Sequence, residues 1–292
     1  MNTLAQIQSH LQTAGEHVGD LLWWSLDDAR ISATRLAQVW TGSGLSPSLL
    51  PEAPTPEKAL KTACREQAVG RSDYLIRLGK EDGRELVFAV VREERDASGN
   101  VRHTQEARVS LRRGGSGTLE TDAPTHTLVQ AISEGYAGLL DVHTPDDVRR
   151  AVLRALDSFA AVTLRDHGGV YWVPAPYARE VRRLQEALAR IGRSRMDLVP
   201  IHATPEGNAA LGAAAHSAVQ REIEDLQAEI KAFVDEPPGR TLTLVRRLET
   251  FEDLRAKAQL YQSVLNVQVS DLETSLSELA GKVRELLQST SR

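Results

Sequence analysis

The chain has 292 residues, of which 41% are apolar and 26% charged, and its formal net charge is −5. Such a composition suits a globular protein of one large or two modest domains, and the mild negative charge excludes a general attraction to nucleic acid or anionic membrane. Cys64 is the single cysteine, so an intrachain disulfide and a thiolate metal cluster are excluded and a reducing compartment is expected.

Residues 2 to 17 read as a short helix, with Leu4, Ile7 and Leu11 at helical spacing. The stretch is polar throughout and lacks the apolar core of a signal peptide. No run approaches the ~18 apolar residues of a membrane span, so a cytoplasmic protein is expected. DLLWWSL (20–26) reads as a buried strand. Ser32 then caps a helix to about Val39, which the glycines at 42–44 stop. Four of the twelve prolines lie between Ser46 and Pro56 and impose an ordered or semi-rigid loop. Cys64 falls in the helical stretch KALKTACRE, where a small buried hydrophobe is expected rather than a nucleophile.

The middle of the chain is β-rich. SDYLIRLG (72–79) and RELVFAVVREE (84–94) flank the turn KEDG, whose Gly83 is expected at positive φ. A second turn, DASGN, leads into VRHTQEARVSLRR, completing an antiparallel meander over 72–122. LVFAVV is apolar on both faces and reads as its most buried part. Even-numbered positions of the third strand share one face, which predicts a stripe of Arg102, Arg108 and Arg112 with Glu106 among them, and Arg113 adjacent. A solvated face explains the stripe, and a phosphate-contacting face is the alternative. RRGGSG (112–117) has glycines and arginines suited to anions, but lacks the Gly-Lys-Ser/Thr of a P-loop and reads as a flexible hairpin end.

Helices follow over 127–140, apolar at Leu128, Val129, Ile132, Tyr136 and Leu139, and from HTPDD (143–147), with Thr144 as cap and Pro145 in the first turn. AVTLRDHGGVYWVP reads as a strand or strand pair, 178–191 as a helix and MDLVPIHAT as a strand. The loop Asp166–Gly169 could orient an imidazole, but a polar turn is the expected reading. The eight histidines show no paired ligand spacing, and no catalytic residue, cofactor or metal site is expected.

Two stretches align. An aromatic strand, an Arg-Leu helix, a glycine stop and a Thr-Pro-Glu helix start recur, Trp24 falling on Trp172 and Thr55 on Thr204. They read as two repeat units, 20–65 and 168–215, around the meander, with chance similarity of two strand–helix units as the alternative. Tyr171 and Trp172 are expected on opposite faces of one sheet, as core rather than as a ligand platform.

From Ala209 the composition changes. Val219, Ile223, Leu226, Ile230 and Phe233 step by four and three, the spacing of a coiled-coil seam, until the prolines of DEPPGR end the helix. A second helix carries Leu244, Leu248, Phe251, Leu254, Ala258, Tyr261 and Leu265, and the seam resumes at Leu272, Leu276, Leu279, Val283 and Leu286. At 1.5 Å per residue the helices measure ~45 and ~70 Å, so the first cannot cover the second. The fold class expected is therefore α+β: a body over 1–205 with a mixed sheet, a meander and flanking helices, then an antiparallel helical hairpin or coiled coil over 206–292. Leu265, Leu272, Leu276, Leu279, Val283 and Leu286 are the expected contact to a second copy or a helical partner. The function expected is non-enzymatic interaction or assembly, with a nucleic-acid-associated role for Arg102, Arg108, Arg112 and Arg113 as the alternative.

Overall fold

Thr55 and Thr204 open two helices by the same chemistry. In the computed structural model of the chain, each threonine Oγ1 accepts the backbone N–H three residues on, and proline follows at the first helical position. The structure describes residues 16–27, 29–115, 117–165, 169–235 and 241–266, with Ser277 and Gly281; side chains of 233–235 and 241–248 are excepted. The helix expected over 2–17 falls almost wholly outside these residues, and the part that is described, from His17, is strand.

The described elements, in chain order, are β1 (His17–Asp27), β2 (Ile31–Ser32), α1 (Ala33–Gly42), α2 (Pro56–Ala68), β3 (Tyr74–Glu81), β4 (Glu85–Arg95), β5 (Val101–Arg112), β6 (Leu119–Thr121) and α3 (Thr127–Leu139). There follow β7 (Val142–His143), α4 (Pro145–Ser158), β8 (Val162–Thr163), β9 (Tyr171–Pro174), α5 (Ala178–Leu188), β10 (Arg193–His202), α6 (Pro205–Asp235) and α7 (Thr241–Leu265). They fall into two compact units. One comprises 1–26, 43–45 and 152–292, and the other 27–42 and 46–151. This division interleaves along the chain, where composition suggested a single boundary near 205.

The first unit holds the sheet β10-β1-β9-β8. β9 runs antiparallel to β1 and β8, and a bond from Ala203 N to Glu16 O joins the end of β10 to the start of β1. The sheet is therefore antiparallel rather than mixed. β9, α5 and β10 form a split β-α-β unit with β1 inserted between its strands. Leu21 pairs with Trp172 and Leu22 with Tyr171, and neighbouring side chains alternate between faces. Tyr171 and Trp172 thus face opposite sides, as the sequence implies.

Trp172 is fully buried. It belongs to one apolar cluster with Leu211, Ala215, Val219, Ile223, Leu226 and Ile230 of α6 and Phe251, Leu254, Ala258, Tyr261 and Leu265 of α7. The Trp172 and Tyr261 rings lie 5.9 Å apart, and the Tyr261 hydroxyl donates to Ala160 O. The helical hairpin is thus the roof of this sheet, built on side chains that the heptad spacing singled out together with Leu211 and Ala215, which precede that spacing. Phe233, Leu244 and Leu248 lie outside the described side chains. On the other face, the buried Asp20 accepts two hydrogen bonds from Arg182 of α5, and Tyr171 stacks on Trp24 at 4.9 Å. Trp24 shares the face of Tyr171, not that of Trp172. The two tryptophans aligned by the repeat therefore occupy different positions. Trp23 is exposed and Trp24 half-buried, so β1 is buried only in its first half.

The second unit is built on the meander β3-β4-β5-β6, antiparallel throughout, and forms its own sheet. Leu86, Phe88, Val90, Ala107, Val109 and Leu111 face Leu60 and Ala63 of α2 and Leu128, Val129, Ile132 and Tyr136 of α3. Within LVFAVV, Val87 and Val91 stay half-buried because they point away from these helices. Gly83 does not adopt positive φ. The turn is closed instead by the Asp82 carboxylate, which accepts the N–H groups of Arg84 and Glu85. β2 and β7 pair as a two-residue ribbon. Ser32 caps α1 through the Arg35 N–H, and α3 buries the five side chains named from its periodicity. In the proline-rich stretch a 3-10 turn over Pro47–Leu49 stands where the repeat would need a counterpart of β10.

Gly19 lies against Trp172: a Cβ there would meet Val173 O at 2.3 Å and Trp172 Nε1 at 2.4 Å. Gly42 has nothing within 4 Å. Gly19→Ala is expected to cost about 2–3 kcal/mol in urea unfolding, and Gly42→Ala to cost nothing or stabilise slightly.

Candidate functional site

The expected partner surface begins where α7 ends. Asn208, one turn into α6, donates from Nδ2 to Leu265 O at 3.1 Å, and Asn266 follows in the left-handed conformation at φ 53°. The last residue of α7 is therefore level with the first turn of α6, and the antiparallel partner is used up. Leu265 itself is 1% exposed inside the first unit's core. It seals the chain's own hairpin and is not a partner contact. Leu272, Leu276, Leu279, Val283 and Leu286 lie outside the described residues. Beyond Asn266, Ser277 accepts a hydrogen bond from Arg255 Nη2 at 3.3 Å. Asn266 stands midway in sequence between the two, so the chain has turned back along α7 by Ser277. The single ~70 Å helix expected from the seam is thus replaced by a helix that stops at Leu265.

The predicted arginine stripe is divided by a β-bulge. Ala89 pairs with Arg108 and Val90 with Ala107, but Val91 pairs with Gln105, leaving Glu106 as the extra residue. One inserted residue reverses the facing of everything before it. Arg108 and Arg112 sit opposite Ala89 and Glu85, on the face away from α2 and α3, whereas Arg102 sits opposite Glu94 on the other face. Three of the arginines already have carboxylates: Arg108 pairs with Asp122 at 3.3 Å, Arg112 with Glu120 at 3.2 Å and Arg113 with Glu81 at 2.7 Å.

The bulge carries a clasp that sequence spacing could not reveal. Glu106 accepts from His126 Nε2 at 3.1 Å and Tyr74 OH at 3.0 Å, and these bonds hold its carboxyl below the usual range. His126 Nδ1 in turn accepts the Leu128 N–H that opens α3. With both ring nitrogens engaged, His126 joins a helix start to a strand and is not placed to act as a base.

A second hidden centre is Asp147. Its carboxylate, 2% exposed, accepts from Lys58 Nζ, from Arg150 Nη2 at 2.6 Å, and from the N–H and hydroxyl of Thr144. Burial pulls its pKa upward, but these donors outweigh it and hold the carboxyl well below the usual range. His143 lies beside it with Nδ1 4.0 Å away, and burial pushes that imidazole's pKa down. Asp147 lies in the first turn of α4 beside Asp146, and only the fold brings Lys58 to it from 89 residues away. Cys64 is buried among α2 and α3, and burial pushes its thiol up to about 12. Asp166, His167 and Gly168 lie outside the described residues. No group of three or more His, Cys, Asp and Glu suited to a metal occurs among the described residues, and no helix among them is long and apolar enough to cross a membrane.

The family of unknown function DUF6744 matches residues 17–292, and the chain belongs to that family. No curated protein and no solved structure matches the chain.

The folded pKa of Asp147 lies below the unfolded value of ~3.9, so its contribution is complete above that pH and drains away as pH falls towards the folded value. Asp147→Asn is expected to lose about 2 kcal/mol at neutral pH and to flatten the acid limb of a stability–pH curve below about pH 4. The Cys64 thiol is expected to resist a disulfide reagent in the native protein and to react fully in denaturant.

Proposed function

We propose that this member of the DUF6744 family is a non-enzymatic cytoplasmic assembly protein. It joins a second copy of itself, or a helical protein partner, through the leucine seam that follows α7. The observation that carries this reading is the bond between Asn208 and Leu265. The α6–α7 seam closes at that bond, while Leu272, Leu276, Leu279, Val283 and Leu286 go on with the coiled-coil spacing beyond it. Ser277 meets α7 through Arg255, and at helical spacing the five apolar positions fall on the side of a helix away from Ser277 and Gly281. Burying each such side chain is worth roughly 1.5–3 kcal/mol. Leaving all five in water would forgo an amount comparable with the net stability of a domain. A second copy or a partner helix recovers it.

The alternative, a nucleic-acid-associated role for Arg102, Arg108, Arg112 and Arg113, has the weaker support. Three of the four hold carboxylate partners, and the fourth lies across the sheet from Arg108 and Arg112.

Light scattering of the full-length protein is expected to give a mass above the 32.0 kDa of one chain. Leu276→Glu with Leu279→Glu should return it to one chain without loss of helix content. A wild-type monomer whose solubility these substitutions leave unchanged would contradict the reading.

A further inference from the structure

Among the described residues one histidine is buried, and its ring is not fully satisfied. His143, 3% exposed, sits on β7 with no hydrogen bond at Nδ1, which lies 4.0 Å from Asp147 Oδ2, too far for one. That carboxylate has no place left for it. Oδ1 accepts from Lys58 Nζ and from Arg150 Nη2 at 2.6 Å. Oδ2 accepts the Thr144 N–H at 3.0 Å and the Thr144 hydroxyl at 2.9 Å. An ionised carboxylate offers about four lone-pair sites, so Asp147 is saturated. The cluster lies wholly within the second unit and ties β7 and the first turn of α4 to α2. The backbone of β7 is a short ribbon, in which His143 pairs with Ile31 and Val142 with Ser32, and Ala33 N donates to Asp141 O at 2.9 Å.

We propose that His143 is the acid trigger of this clasp: on taking up a proton it displaces a donor from Asp147 and releases β7 and the start of α4 from α2. An imidazolium carries an N–H on both ring nitrogens. The acceptor facing Nδ1 is Asp147 Oδ2, which can take that N–H only by giving up a bond it already makes. The charges around the ring are Asp147 and Arg150 of α4, Lys58 of α2 and Asp141 ahead of β7. A third cation would have to share the Asp147 carboxylate with an ammonium and a guanidinium. Burial is the largest influence on His143 and holds its pKa below the ordinary value, and the Lys58 charge adds to this, while Asp147 and Asp141 pull the other way. Because the folded pKa lies below the unfolded value of ~6.5, the contribution is complete above that pH and is lost as pH falls towards the folded value. Protonation of Asp147 belongs to a separate window, below about pH 4. A two-residue ribbon makes the opening local, since few backbone bonds break with it. The clasp opens or holds irrespective of any partner at the leucine seam.

The test is hydrogen–deuterium exchange of the full-length protein at about pH 7.5 and about pH 5.5, corrected for the intrinsic exchange rate. Residues 142–148 are expected to lose about threefold to tenfold in protection at the lower pH, while β4 of the same unit keeps its own. His143→Gln should abolish the difference. A nuclear-resonance titration of the His143 ring needs no folded variant, and its midpoint in the wild-type protein is expected below ~6.5. Lys58→Met, which frees one site on Asp147 and removes a neighbouring cation, should raise that midpoint. Protection that does not change with pH, a loss shared equally by β4, or a loss that persists in His143→Gln would each overturn the proposal. So would a wild-type midpoint at or above the ordinary value, or one that Lys58→Met leaves in place.

Discussion

Trp172 is the contact on which the first unit depends. It lies with no solvent exposure on the face of β9 that meets the helical hairpin, and it fits because residue 19 on the neighbouring strand is glycine. Tyr261 closes over it from α7, and the Tyr261 hydroxyl is tied to Ala160 O. The hairpin is therefore no appendage to a separate body. The seam that makes α6 and α7 amphipathic is the same surface that roofs the sheet, and one apolar cluster runs from Val18 to Leu265.

That arrangement sets a length limit. A helix in an antiparallel hairpin is covered only as far as its partner extends, and α6 begins at Pro205. The Asn208–Leu265 bond and the left-handed Asn266 mark the same limit from both helices. The end of the hairpin is thus fixed by the start of α6, while the apolar spacing of the sequence goes on for about three more heptads. This mismatch between covered length and patterned length is what gives the assembly reading its support.

Local chemistry was the legible part of the sequence. Capping by Ser32, Thr55 and Thr204, the meander, the five buried positions of α3 and the opposed facing of Tyr171 and Trp172 all follow from turn residues and periodicity. What escaped depends on pairings distant in sequence. The Glu106 bulge has no signature of its own, yet it moves Arg102 to the face opposite Arg108. Asp147 and Lys58 are brought together only by the fold. The antiparallel first sheet arises because β1 inserts between β9 and β10, which no strand's composition records. The Trp24–Trp172 alignment matched residue types without matching faces, because the neighbours Tyr171 and Trp172 allow either to be set against Trp24.

The most direct test of the uncovered seam reads between chains rather than within one. Cys64 is buried, so a spin label on Ser275→Cys, at the flank of the seam, would be the single label on each chain. In a dipolar electron-resonance measurement a single label couples only to another copy. A modulated echo with a short interchain distance, lost on adding Leu276→Glu and Leu279→Glu, is the expected result for a self-associating seam. An unmodulated decay at concentrations where the protein stays soluble would contradict it.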